Sequence, residues 1–259
     1  MITADNGLTR CEKNVINGLL ATMLLASCTL WGCGQRGDAT RVFVASSMTD
    51  FIEELIAVDG QNGSANATDV NIAGSGTLLL QINEGARADV VILAGAEYME
   101  ELNRTGDFHP PTEFAMTKLS IVIAPDLKDK DLTVRDLWSG KFQGAMCVLS
   151  APCGQLASQY AASQNLDMAD LSLEPNVRAV LAKIERGEVD FGFVYHTDLL
   201  SSTAGVAEVQ GSGASKFSTS YSFAVSNNLK HSAQAQSLTN AITGEVGQRI
   251  LEELGFNQP

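Results

Sequence analysis

Val42-Phe43-Val44-Ala45-Ser46-Ser47-Met48-Thr49-Asp50 and Val70-Asn71-Ile72-Ala73-Gly74-Ser75-Gly76-Thr77-Leu78 follow one pattern, a run of β-formers that ends on serine and opens an amphipathic helix. The first amides of a helix have no intrahelical acceptor and carry the positive end of the macrodipole, so an oxyanion seated at such a corner satisfies donors that otherwise need water. Two corners of this kind can face one small ligand, and the hydroxyls of Ser47 and Ser75 add donors to it. The plainer alternative is that both serines are ordinary N-caps, with Ser47 and Asp50 at capping-box spacing.

Working outward, strand-like runs at 41–45, 69–73 and 88–93 alternate with helix-like runs at 47–58, 77–84 and 97–103. This rhythm predicts an α/β protein with a largely parallel sheet. Val90-Val91-Ile92-Leu93 and Leu119-Ser120-Ile121-Val122-Ile123-Ala124 are apolar on both faces, as strands covered by helices on each side are. A short helix at 132–138, a strand at 145–149, helices at 154–163 and 176–186 and a strand at 190–195 follow, and the pattern closes with a strand at 221–225 and a long helix at 232–254. No linker or repeat interrupts the chain after residue 40, so a passage between two lobes has to run through strands near 118–124 and 221–225. The expected division is lobe 1 at 41–118, lobe 2 at 119–223 and a return to lobe 1 at 224–259.

The first forty residues read as export and tether. Arg10 and Lys13 make a basic start, 15–27 is largely apolar, and Leu25-Ala26-Ser27-Cys28 resembles the cleavage box of bacterial lipoproteins. The expectation is a signal peptide at 1–27, a lipid on Cys28 and a tether at 28–40, with Leu30-Trp31-Gly32-Cys33 as the alternative site despite its bulky Trp31. A membrane helix is the competing reading, but Asn17 and Gly18 break an apolar run already brief for the roughly 20 residues of a span.

Lys and Arg number 17 against 30 Asp and Glu, a formal charge of −13, which excludes nucleic acid as a partner. An anionic ligand then has to be held by local dipoles and hydroxyls rather than by an electropositive surface. Apart from Cys11, Cys28 and Cys33 of the first forty residues, only Cys147 and Cys153 remain; with one in a strand and the other past a turn, their α-carbons are expected to lie beyond the roughly 7 Å reach of a disulfide. His109, His196 and His231 are scattered without ligand spacing, so no side-chain metal site is expected.

Two more corners follow. Leu149-Ser150-Ala151-Pro152-Cys153-Gly154-Gln155 has Pro152 and Gly154 for a close backbone approach, or is a plain turn. Glu174-Pro175-Asn176-Val177-Arg178 opens a helix with Asn176 as N-cap and Val177 presenting a first-turn amide. Phe193-Val194-Tyr195-His196 ends a buried strand with a tyrosine whose hydroxyl reaches a cleft, or is a core aromatic with a wet tip.

Taken in order, Ala45-Ser46-Ser47-Met48-Thr49, Gly74-Ser75-Gly76-Thr77-Leu78, Gly85-Ala86-Arg87-Ala88-Asp89-Val90, Pro152-Cys153-Gly154, Asn176-Val177-Arg178 and Gly192-Phe193-Val194-Tyr195 resemble the successive signatures of the molybdate-binding proteins of bacterial ABC transporters. The resemblance runs from about Arg41 to Leu254-Gly255-Phe256. It implies a two-lobed, type II periplasmic-binding-protein architecture with the ligand cleft between the lobes. It implies an oxyanion, molybdate or tungstate, held by the hydroxyls of Ser47, Ser75 and Tyr195 and the backbone amides of Cys153 and Val177. Cys153 stands where the family usually has alanine, which puts a thiol beside the cleft. The branch of the family that completes coordination with carboxylates is matched less well, because these corners offer no paired Asp or Glu. The same resemblance implies a monomer outside the cytoplasm that serves a membrane permease, with no cofactor and no enzymatic activity. Two alternatives stand beside it: a receptor for another oxyanion such as sulfate, and a serine hydrolase using Ser75. The hydrolase lacks the first glycine of its motif, where Ala73 stands, and a convincing His–acid pair.

Overall fold

The computed structural model describes residues 39–61, 68–229 and 232–259. The signal segment, both lipidation candidates Cys28 and Cys33, and most of the tether lie outside them. Among the described residues no helix is long and apolar enough to cross a membrane.

The chain follows the βα rhythm. Strand β1 (Thr40–Ala45) leads through a 3-10 turn (Ser46–Met48) into α1 (Thr49–Gln61), β2 (Thr68–Ala73) into α2 (Ser75–Asn83), and β3 (Val90–Ala94) into α3 (Ala96–Arg104). The long strand β4 (Thr112–Ile123) precedes the short helix α4 (Val134–Leu137). After it come β5 (Gly144–Cys147), α5 (Pro152–Gln164), β6 (Ser172–Glu174), α6 (Val177–Glu185), β7 (Phe191–Tyr195) and α7 (His196–Ser201). The two-residue strand β8 (Ala207–Glu208), β9 (Ser218–Val225), α8 (Ser232–Thr243) and α9 (Glu245–Glu253) complete it.

One sheet runs in the order β2-β1-β3-β9-β4-β7-β5-β6, with β8 against β4. Two parallel triplets, β2-β1-β3 and β7-β5-β6, flank the antiparallel pair β9 and β4. Strand β4 belongs to both halves: its register runs with β9 as far as Lys118 opposite Ser218, and with β7 from Leu119 opposite Tyr195.

The cores divide the same way. Met48 of the 3-10 turn and Phe51, Ile52 and Leu55 of the first helix pack with Val42, Val44, Ile242 and Ile250 on one face of the first half-sheet. Phe43, Val91 and Leu93, one residue out of phase, pack with Leu78, Leu79 and Leu102 on the other. That alternation is the period-2 signature of a strand with helices on both faces. A separate core, from Leu119 to Ala214, gathers β5, β7, α5 and α6 around Tyr160, Phe191 and Phe193.

The structure corrects several expectations. The return to the first lobe begins earlier than residue 224: β9 pairs with β4 from Ser218 and with β3 from Tyr221, and Tyr221 and Phe223 sit in the first lobe's core. Helix α2 starts at Ser75 rather than 77, and the terminal helix expected over 232–254 is two helices. Gly244 separates them, packed so closely on the Asn240 carbonyl that a Cβ would lie 2.8 Å from it. Cys147 and Cys153 form a disulfide with α-carbons 5.8 Å apart. The turn after β5 doubles back within five residues, with the Ala151 amide donating to the Val148 carbonyl, so the start of α5 returns beside the end of β5. There is accordingly no free thiol at the cleft.

Candidate oxyanion site

Ser47, Ser75, Cys153, Val177 and Tyr195, drawn from 149 residues of chain, line one small pocket together with Ser46, Gly74, Ala94, Ala151, Pro152 and Asn176. Four strand-to-helix corners converge on it: β1 into α1 and β2 into α2 from one half-sheet, β5 into α5 and β6 into α6 from the other.

Neither serine caps its helix. Ser47 lies inside the 3-10 turn, where its Oγ accepts the Tyr221 hydroxyl at 2.8 Å, and Asp50 turns away to Arg178. Ser75 is the first residue of α2, after Gly74 as N-cap, and its Oγ accepts the Ala94 amide at 3.0 Å. Each hydroxyl therefore has its acceptor side engaged by a protein donor, which leaves its own proton for the pocket. The capping-box reading of Ser47 and Asp50 is thereby replaced by two long-range contacts.

The second half supplies amides. Pro152 occupies the first position of α5, where it has no N–H to satisfy, so Cys153 carries the first available donor. Asn176 is the N-cap the sequence suggests: its side chain accepts the Ala179 amide at 3.0 Å, and the Val177 amide is left without an intrahelical acceptor. Tyr195, 1 % exposed, ends β7 with a buried hydroxyl that has no hydrogen-bond partner among the described residues. Burial, with the nearby Tyr221 and Asp198, pushes this phenol well above its usual range, so it stays protonated and acts as a donor.

No charged side chain lines the pocket. The nearest cation in sequence, Arg178, is the residue after Val177. Its Nη2 meets Asp50 Oδ2 on the opposite half, and its Nε lies 2.8 Å from Asp198 Oδ1, off the N–H axis, so that the second contact is ionic rather than an aligned hydrogen bond. The other Asp198 oxygen accepts the Tyr195 amide at 3.2 Å. One guanidinium thus ties the helix behind Ser47, the corner at Val177 and the backbone of Tyr195. Burial raises the Asp198 carboxyl to about 7 even with Arg178 opposing it. Burial alone would lower the Arg178 guanidinium, and Asp198 and Asp50 more than offset that.

The halves also meet through backbone. A Cβ on Gly76 would lie 1.9 Å from the Ser150 carbonyl, and one on Gly74 would lie 2.8 Å from that of Pro175. The glycines around Ser75 are therefore there to let opposed corners touch. Gln155 Nε2 donates to the Tyr98 hydroxyl at 2.9 Å across the same gap.

Sequence reasoning missed Tyr221, the Ala94 amide and the Asp50–Arg178–Asp198 chain. Tyr221 stands 174 residues from Ser47, and nothing local pairs them. Among the described residues no group of three His, Cys, Asp or Glu side chains is arranged to hold a metal ion. The hydrolase reading of Ser75 fails on its surroundings, since no histidine lines the pocket and the serine oxygen accepts a backbone amide.

Residues 40–257 match the family model described as bacterial extracellular solute-binding protein. A molybdate-binding protein of Mycobacterium tuberculosis is 29% identical over 259 residues, covering 93% of this chain and 97% of the relative. The periplasmic molybdate-binding protein of Azotobacter vinelandii superposes with a TM-score of 0.73 at 18% identity, covering 85% of this chain and 99% of that one. A sulfate-binding protein of M. tuberculosis superposes with a TM-score of 0.67 at 13% identity, over 85% and 86%. At such identities the superpositions speak for the fold.

Proposed function

The chain belongs to the bacterial extracellular solute-binding proteins, and from that premise we propose that it captures molybdate or tungstate outside the cytoplasm and delivers the ion to an ABC transporter permease. It is a binding component of transport and not an enzyme. The observation that carries the choice of ligand class is the buried, unpartnered Tyr195 hydroxyl, which shares its pocket with two serine hydroxyls whose acceptor sides are already taken.

A fully ionised tetrahedral dianion presents only acceptors, and a pocket of hydroxyl and amide donors suits it. Hydrogen phosphate finds no acceptor there for its proton. Sulfate shares the charge and the shape, and is refused by size: donors spaced for the longer metal–oxygen bonds of molybdate cannot all close on a smaller ion. Hydrogen bonds to a charged ligand contribute about 1.5–3 kcal/mol each. Five to seven of them give roughly 8–20 kcal/mol before desolvation and closure are subtracted, consistent with micromolar to nanomolar binding. The likeness to the mycobacterial molybdate-binding protein over nearly the whole chain supports the same ligand.

In this reading the ion is cargo and no cofactor takes part. The protein is a monomer, a lipid on Cys28 or Cys33 holds it at the membrane, and the permease recognises the closed form. Occupancy favours closure because the donors come from both halves. Titration calorimetry against molybdate, tungstate, sulfate and phosphate tests the reading: heat with the first two and none with the others is expected. Tighter binding of sulfate would overturn it.

A further inference from the structure

The Cys147–Cys153 bridge joins the last residue of β5 to the second residue of α5, and Cys153 is at once a bridge partner and a lining residue of the anion pocket. We propose that Cys147 is a positioning residue for oxyanion binding, which acts through this disulfide to hold the Cys153 amide in the pocket, so that ligand affinity and the redox state of the bridge are coupled. The inference rests on the oxyanion reading above.

Two thiols cannot remain at bonding distance; without the bond they separate to van der Waals contact, about 3.5–4 Å. There is little room for that separation within the turn. A Cβ on Gly154 would stand 2.1 Å from the Val148 carbonyl and 2.6 Å from that of Cys147, so the first turn of α5 already rests on the end of β5. Relief has to come from the exposed segment, Leu149 and Ser150, and from the helix start it leads into. That segment carries two further pieces of the closed cleft: Ser150, whose carbonyl touches Gly76, and the start of the helix from which Gln155 reaches Tyr98. Opening the bridge therefore displaces a donor amide and an inter-lobe contact together.

Cys147 is fully buried and Cys153 is 3 % exposed, so of the two partners Cys153 is the one an external thiolate reaches. In the exchange, that thiolate bonds to the Cys153 sulfur and Cys147 leaves as a thiolate, which then takes a proton. A second thiolate attacks the external sulfur of the mixed disulfide and releases Cys153; the protein gains two electrons and two protons, and two small thiols become their disulfide. Because coupling is reciprocal, an ion that binds the bridged form tenfold more tightly must lower the midpoint potential of the bridge by about 30 mV.

The test uses the full chain with tungstate as probe. Dissociation constants are measured by calorimetry on oxidised protein, on protein reduced in glutathione buffer, and on the double variant Cys147→Ala/Cys153→Ala. The bridge is titrated against glutathione with and without saturating tungstate, and alkylation of the Cys147 and Cys153 peptides is read by mass spectrometry. Expected are about tenfold weaker binding in the reduced protein and the double variant, and a midpoint lower by about 30 mV with ligand. A bridge that serves stability alone would lower the unfolding midpoint in urea and leave affinity and ligand-linked potential unchanged, which overturns the proposal. Should the double variant not fold, the wild-type redox titration decides by itself: an unmoved midpoint with tungstate bound overturns the inference. Oxidised protein that fails to bind tungstate or molybdate overturns the functional reading first and this inference with it; equal binding by oxidised and reduced protein overturns only the inference.

Discussion

The contact between Tyr221 and Ser47 allows stability and affinity to be separated by a mutant cycle. In Ser47→Ala the ligand loses one hydrogen bond to a charged species, about 1.5–3 kcal/mol, so the dissociation constant should rise roughly 10- to 150-fold. The same change strands the Tyr221 hydroxyl, which is wholly buried and donates to Ser47 Oγ at 2.8 Å; an unsatisfied buried donor costs about 1–3 kcal/mol of stability. Tyr221→Phe removes the donor and keeps the serine. It should cost about 0.5–1.5 kcal/mol of stability and only a few-fold in affinity, since Ser47 keeps its proton but loses the group that orients it. Combining the two leaves no stranded hydroxyl, so the double variant should recover much of the stability lost in Ser47→Ala while binding as weakly as that variant. Urea unfolding and molybdate calorimetry on the four proteins give both cycles. Stability losses that simply add, or wild-type affinity in Ser47→Ala, would refute the reasoning.

Tyr195→Phe removes a donor that has no protein partner, so affinity should fall about 10- to 100-fold with stability unchanged or slightly raised; a clear loss of stability would show that the hydroxyl is satisfied within the protein. Gly76→Ala places a methyl 1.9 Å from the Ser150 carbonyl, and full closure should be blocked, seen as a larger radius of gyration with ligand by small-angle scattering and an affinity loss of tenfold or more. Asp198, with its carboxyl raised to about 7, binds its proton more readily folded than unfolded. Its contribution to stability should thus decline as pH rises from about 4 to 7, with a slope of at most ~1.4 kcal/mol per pH unit. Asp198→Asn should remove that component of the urea-unfolding profile, whereas Arg178→Gln should extend the decline above pH 7; a profile unchanged in Asp198→Asn would refute the assignment.

What the sequence determined by itself is local. A change of hydrophobic period from two to 3.6 at a serine, an asparagine or a proline marks each corner, because the backbone there exhausts its strand partners and exposes helix amides whatever the rest of the chain does. The corners at Ser47, Ser75, Pro152–Gly154 and Val177 were therefore readable as candidate anion sites and Asn176 as a cap, while the family resemblance supplied Cys153 and Tyr195 as expected donors. Only tertiary structure decided how those donors are aimed. The apolar half of β4 was visible at 119–124, but its first half, from Thr112, mixes exposed and buried residues without a regular alternation and is a strand through its pairing with β9. The disulfide depends on a turn tight enough to return α5 to β5, and the Arg178 clasp on two carboxylates from opposite halves. Ser47 keeps its proton free because a tyrosine 174 residues away donates to its oxygen. Contacts at that separation carry no local propensity; this one exists because β9 returns to the first half-sheet and brings Tyr221 into the core on which the first helix packs.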